Sequence, residues 1–127
     1  DLWIEDMSML FKHFSEVMDI SAVRVRLDKI SGDSCRRFHI DNMTVRLLFT
    51  YVGPSTEWLQ KQNIERVRGN KDQLKDEHIQ RLPRLFVGLF KGHRHPNHSG
   101  KIFHRSPPIA SIGASRFVYC LDQNSTC

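Results

Sequence analysis

The sequence predicts a mainly β domain, an antiparallel sandwich or barrel led by one N-terminal helix. Three observations predict it. Apolar residues in positions 2–18 recur at spacings of three and four, the period of an amphipathic helix. The stretch "AVRVRLDKI" alternates apolar and charged residues, the period of a half-buried strand. Beyond it, short apolar runs are separated by turn-rich tetrapeptides such as "SGDS" and "GPST", the punctuation of a multi-stranded β fold.

Each element follows in order. The helix occupies residues 1–19, with Leu2, Ile4, Met7, Leu10, Phe11, Phe14, Val17 and Met18 on its apolar stripe and His13 and Glu16 on its wet side. In the first strand Val23, Val25 and Leu27 are expected to face the core and Arg24, Arg26 and Asp28 to face water. A second strand runs from about Thr44 to Val52, and "EWL" begins a returning strand. Residues 60–82 are polar with thin apolar periodicity, an exposed insertion of loop and short helix; His78 within it is expected to face solvent. Leu85–Phe90 and "IFH" read as strands, "KGHRHPNHSGK" and "RSPPIASIGAS" as loops, and "RFVYCLD" as the final strand.

The totals bound the function. At 127 residues the chain reads as one domain, 1–127, able to bury a core without disulfides. Its apolar share of 39% and charged share of 26% are those of a soluble globular protein. No apolar run approaches the ~20 residues that span a bilayer, and no signal peptide is visible; because the chain starts at Asp1, that absence carries little weight. Three cysteines, no CxxC and a terminal Cys127 argue against a disulfide scaffold and for a cytoplasmic location. The net charge of +5 favours an anionic partner or substrate. Without a block of five like charges, a nucleic-acid arm is not expected. No Ser-His-Asp arrangement, P-loop or dinucleotide fingerprint is present.

The chemistry concentrates in "FHID". His39 and Asp41 are two positions apart, so on a strand they share a face. Buried together they need a metal ion or a hydrogen-bonded partner. His104 in "KIFHRSPP" and Arg116 twelve positions further on complete a pattern. Two imidazoles and a carboxylate on one side of a metal leave positions open, an arrangement suited to non-haem Fe(II) or to catalytic zinc. A guanidinium one strand away can hold a carboxylate co-substrate through two bonds. The alternative is a hydrogen-bonded His39–Asp41 pair at a strand entrance, with His104 a loop residue.

This pattern resembles that of the Fe(II)/2-oxoglutarate-dependent oxygenases, whose fold is the cupin-like double-stranded β-helix or jelly roll. More closely, "CRRFHIDNMTVRLLFTYVGPSTEWL", "RLPRLFVGLFKG" and "HRSPP…RFVYCLD" resemble a bacterial family, domain of unknown function 1826, over roughly residues 20–123. The distant resemblance implies a double-stranded β-helix with His39, Asp41 and His104 as ligands of Fe(II) or another divalent metal. His39 and Asp41 would end one core strand, and His104 would sit on a neighbour in the same sheet. It implies that Arg116 binds 2-oxoglutarate as co-substrate, and that a small-molecule or macromolecular substrate is hydroxylated. Pro107 and Pro108 break regular pairing between His104 and Arg116. The alternatives are a cupin-like module that holds a metal or small acid without turnover, and a basic-surface domain that binds an anionic partner without metal.

Other residues compete for these roles. His93, His95 and His98 in "GHRHPNHSG" form a possible metal site of their own, or supply a third ligand in place of His104. Strand parity points Arg46 away from Asp41 and Arg105 away from His104, and Arg37 precedes the ligands, which favours Arg116. Thr50, Tyr51 and Thr56 offer hydrogen bonds to a co-substrate; Tyr51 shares parity with Asp41 unless a bulge reverses it. Phe49, Trp58 and Phe103 are expected in the core, and Cys35 as a small buried residue.

Overall fold

The computed structural model describes residues 1–68 and 74–123. Helix α1 spans Leu2–Met18. The strands are β1 Val23–Ile30, β2 Val45–Val52, β3 Glu57–Leu59, β4 Ile79–Arg81, β5 Gly88–Lys91, β6 His104–Arg105 and β7 Arg116–Gln123. A short helix α2, Ile64–Arg68, follows a single 3-10 turn. The strands form two antiparallel sheets, one ordered β1-β7-β2-β5 and the other β4-β3-β6.

The fold is thus mainly β behind an N-terminal helix. The Asp1 side chain caps α1 by accepting from the Trp3 amide, and Asp19 closes it in the left-handed conformation, an ending that Asp and Asn tolerate better than most residues. His13 and Glu16 lie on its exposed side, as expected.

The two faces of the four-stranded sheet are chemically different. Phe14 of α1 packs against Val45, Leu47 and Phe49 of β2 and Tyr119 and Leu121 of β7, the main apolar core. The alternate residues, Arg46, Leu48 and Thr50 of β2 and Arg116, Val118, Cys120 and Asp122 of β7, point the other way, towards the second sheet. Period-two alternation therefore serves two interiors here, one apolar and one polar.

This arrangement corrects the reading of β1. Val25 and Leu27 are nearly half exposed, at 49% and 44%, because α1 lies over the centre of the sheet and leaves its edge uncovered. Arg26 and Asp28, expected in water, stay 36% and 44% accessible but also border the polar interior. The run "LFVGLF" is also shorter as a strand than expected. Leu85 takes φ 62°, the Phe86 amide donates to the Pro83 carbonyl, and pairing begins only at Gly88. The 60–82 segment carries α2 and, at its end, β4; its middle, 69–73, lies outside the described residues, as does Cys127. His78 is half-buried, not solvent-facing: its Nδ1 accepts from the Lys75 amide at 3.0 Å. No helix among the described residues is long and apolar enough to cross a membrane.

Candidate metal centre

His39 and His104 are brought together by the backbone. His39 lies outside the named strands, in an isolated antiparallel bridge to His104. The two residues exchange both amide–carbonyl hydrogen bonds, each 3.0 Å. His104 belongs to β6 of the three-stranded sheet, and Asp41 sits in the bend before β2 of the four-stranded one. The cluster therefore spans the seam between sheets. It does not sit on two neighbouring strands of one sheet, as the oxygenase likeness implied.

Asp41 is placed by its neighbours in the chain and across it. Its carbonyl accepts from the His93 amide at 2.8 Å, and the Gly92 amide donates to the Thr44 carbonyl at 2.9 Å. Gly92 is needed for this approach, because a Cβ there would run into the carbonyl oxygens of Asp41 and Met43.

Three side chains converge: one ligand atom each from His39, Asp41 and His104, all within 4.8 Å of one another. His39 Nε2 is 3.3 Å from Asp41 Oδ1, and His104 Nε2 is 3.0 Å from Asp41 Oδ2. Asp41 and His104 are buried, and His39 is about a third exposed, with 34% of its side chain accessible. Each imidazole makes the same local bond. His39 Nδ1 donates to the Arg37 carbonyl at 2.8 Å, and His104 Nδ1 donates to the Ile102 carbonyl at 3.3 Å. A carbonyl oxygen can only accept, so each Nδ1 carries a hydrogen. In a neutral ring, Nε2 then holds the lone pair and faces the carboxylate. A lone pair and an anion at such distances repel unless a cation lies between them, either a proton or a metal ion. Backbone bonds that fix the tautomer in this way typify ligating histidines. Asp41 Oδ2 is buried, and apart from His104 Nε2 at 3.0 Å it has no polar partner. The residues fit a divalent first-row metal with mixed nitrogen and oxygen donors.

The charges are strongly coupled. Asp41 pulls the His39 pKa above its ordinary value. Burial pushes the Asp41 carboxyl up, but His104, His39 and Arg46 outweigh it and hold the group far below the usual carboxylate range.

The polar interior next to the cluster is a cavity of about 390 Å³. Its wall includes His39, His104, Arg46, Arg26, Cys120 and Arg116. Arg116 is only 1% exposed. Its NH1 donates to Ser106 Oγ at 2.8 Å and its NH2 to Thr56 Oγ1 at 3.2 Å and Thr50 Oγ1 at 3.4 Å. No carboxylate among the described residues forms an ion pair with it, and its Nε has no hydrogen-bond partner. Burial lowers its pKa to about 10, and the charge of the nearby Glu57 carboxylate offsets only part of that.

The other candidates are dispersed. Thr50 faces Arg116, but Tyr51 points to the opposite face, stacks on Trp3 and donates to Asp6. The two consecutive residues thus do not share the cavity. His93, His95 and His98 form no metal-competent group among the described residues; His95 Nδ1 accepts from the Asn97 amide, and His98 Nδ1 meets Lys101 Nζ. Arg105 turns away from the cluster to Glu57, as parity indicated. Arg46 does not turn away. Its NH1 is 3.0 Å from Asp41 Oδ1, because residues 42–44 bend and parity does not carry from Asp41 into β2. Asp122, the carboxylate of β7, is buried and pairs with Arg46 and not with Arg116. Phe49 is core, whereas Trp58 and Phe103 are half-buried around a second hollow. Cys35 is exposed at the cavity rim, not buried. Ser106, which accepts from Arg116, carries no signal in the sequence, because a lone serine after a strand is commonplace.

Two antiparallel sheets around a cationic cavity, with a His–Asp–His cluster at its edge, define a small β domain with a candidate metal centre. The chain belongs to the family described as protein of unknown function DUF1826, whose model matches residues 1–122. The match includes α1, so the helix is part of the family's domain. No curated protein and no solved structure matches the chain.

Proposed function

We propose that this domain is a metal-dependent oxygenase of the Fe(II)/2-oxoglutarate type. His39 Nε2, His104 Nε2 and Asp41 would hold the metal. The observation that carries the reading is Arg116, a nearly fully buried guanidinium with a free Nε and no direct ion pair to a carboxylate among the described residues, on the wall of the cavity that the cluster borders. A buried charge is costly unless paired, and a small dicarboxylate entering this cavity would supply the counter-ion. Bound ferrous iron would supply the oxidising chemistry, with dioxygen as the oxidant and the 2-oxo acid giving up carbon dioxide.

The chain's own residues have definite tasks in this scheme. Arg116 pairs with the distal carboxylate while Thr50, Thr56 and Ser106 hold the guanidinium in place. The Nδ1 bonds to the Arg37 and Ile102 carbonyls keep both imidazoles aimed at one point. Leu48 and Val118 keep the cavity wall apolar beside the charged groups and exclude water. The native substrate would enter past His39, the exposed member of the cluster.

A second reading has one observation in its favour. A cavity of about 390 Å³ lies near the small end of ligand sites, and a metal-bound small acid without a further substrate would fit it. The test is aerobic incubation of freshly reconstituted Fe(II) protein with 2-oxoglutarate, following succinate and carbon dioxide. Turnover abolished in His104→Ala supports the oxygenase. Tight 2-oxoglutarate binding without succinate supports the binding module, and no binding of either metal or acid removes both.

A further inference from the structure

Arg46 was set aside by strand parity, yet it joins two buried carboxylates. Its Nε donates to Asp122 Oδ1 at 2.6 Å and its NH2 to Asp122 Oδ2 at 3.0 Å, a two-pronged pair across β2 and β7, where the two residues are register partners. The third nitrogen, NH1, is left over and donates to Asp41 Oδ1 at 3.0 Å. Arg26 NH2 supports the anchor from β1, 3.7 Å from Asp122 Oδ2, and the Cys120 thiol donates to Asp122 Oδ1 at 3.4 Å. Asp122 is 2% exposed. The guanidinium is planar and rigid, so anchoring two nitrogens fixes the direction of the third.

The consequence falls on Asp41. Oδ1 accepts from Arg46 and lies near His39, whereas Oδ2 is buried and faces His104 Nε2 alone, at 3.0 Å. The two oxygens of one ligand have been made unequal. We infer that Arg46, anchored by Asp122, is a positioning residue that restrains Asp41 to offer the metal one oxygen, Oδ2. With Oδ1 occupied, Asp41 does not chelate through both atoms, and one more coordination position stays open for an exogenous ligand. This inference rests on the metal reading above.

Lysine at position 46 retains the charge but has a single nitrogen, so it cannot grip Asp122 at two points and reach Asp41 as well. The probe is Co(II) alone, added to metal-free protein, with affinity read by calorimetry and coordination by the visible absorption of the saturated complex. In Arg46→Lys we expect affinity to fall about ten- to a hundredfold, the usual range for losing an outer-shell partner. At saturation, the cobalt bands should also change intensity, as Asp41 becomes free to bind through both oxygens. A merely structural role for Arg46 would move stability but not the spectrum of the saturated site. Asp122→Asn keeps Arg46 and weakens only its anchor, and the same spectral change in smaller degree is expected. Should Arg46→Lys fail to fold, Asp122→Asn decides alone. Wild-type cobalt binding with an unaltered spectrum in the folded variants overturns the inference and leaves the metal reading standing. Failure of the wild type to bind cobalt overturns both.

Discussion

His39 and His104 exchange both of their backbone hydrogen bonds, so the spacing of the two imidazoles is set by main chain and needs no ion to establish it. Their environments differ, however. The His104 ring packs on Phe90 with centroids 4.3 Å apart and is almost fully buried, whereas a third of His39 is in solvent. We expect His39→Ala and His104→Ala both to lose Co(II) affinity by at least tenfold but to differ in stability. Loss of the buried ring leaves a cavity and should cost about 1–3 kcal/mol; loss of the exposed one should cost under about 1 kcal/mol. Calorimetry and denaturant titration of the two variants, metal-free, test this. Retained metal affinity in either would remove that histidine from the site.

The pH dependence of the metal-free protein follows from two shifts of opposite sign. The His39 pKa is raised above 6.5, chiefly by Asp41, so protonated His39 stabilises the fold fully below that value. This contribution is lost as pH rises through the higher folded value. Despite burial, Asp41 is held far below 3.8 by His104, His39 and Arg46, so its contribution is present above 3.8 and lost as pH falls towards its folded value. We expect the metal-free domain to gain stability from this cluster between about pH 4 and 6.5 and to lose part of it towards pH 8. Metal has the opposite preference, because it displaces protons from the same atoms. Added Co(II) should therefore stabilise the domain more at pH 8 than at pH 5.5. Thermal melts across this range, with and without cobalt, measure both trends; a stabilisation by cobalt that is independent of pH would contradict them.

What was legible in the sequence was whatever depended on local period. The three-and-four spacing of α1, the alternation of β1 and the extents of β2 and β7 could all be read. So could the motif partners His39, Asp41 and His104, because their residue types suit one chemistry. Two things could not be read. Alternation in β1 identifies two faces but not which interior each one meets, so Arg26 and Asp28 were assigned to water although a polar cavity lies on their side. Parity also holds only within a continuous strand. The bend at residues 42–44 broke it between Asp41 and β2, so Arg46 faces the cluster while Tyr51, in step with Val45, Leu47 and Phe49, faces the apolar core.

Gly92 is expected to be the most sensitive position outside the cluster. An added methyl group meets the Asp41 and Met43 carbonyls. Both are backbone atoms and cannot swing aside as a side chain would. Gly92→Ala should cost on the order of 1–3 kcal/mol by overpacking. It should also shift Asp41, so that metal affinity falls even in the folded fraction. Gly32, which has nothing within 4 Å of the added atom, is the control, and Gly32→Ala should leave affinity unchanged. Denaturant titration and cobalt calorimetry on both variants distinguish them. Equal behaviour would mean that the loop from Gly92 does not position Asp41.

Arg116 is expected to be a residue that the fold tolerates and the ligand requires. Its guanidinium is buried with hydroxyl partners only, and burial has pulled its pKa down to about 10. Glu57 lends it some charge compensation but no direct ion pair, and apolar replacements of buried charges are often neutral or stabilising. We therefore expect Arg116→Met, metal-free and ligand-free, to melt no lower than the wild type. The lost hydroxyl bonds offset part of the relieved desolvation. With metal present, 2-oxoglutarate should raise the melting temperature of the wild type, because a ligand that binds only the folded state stabilises it by mass action. That increment should vanish in Arg116→Met and fall in Arg116→Lys. A charge-assisted bond to a desolvated carboxylate is worth about 1.5–3 kcal/mol, roughly ten- to a hundredfold in affinity. Cobalt affinity should remain near the wild-type value in both variants. Strong destabilisation of ligand-free Arg116→Met would show that the guanidinium is structural. An undiminished 2-oxoglutarate response would show that the acid is held elsewhere.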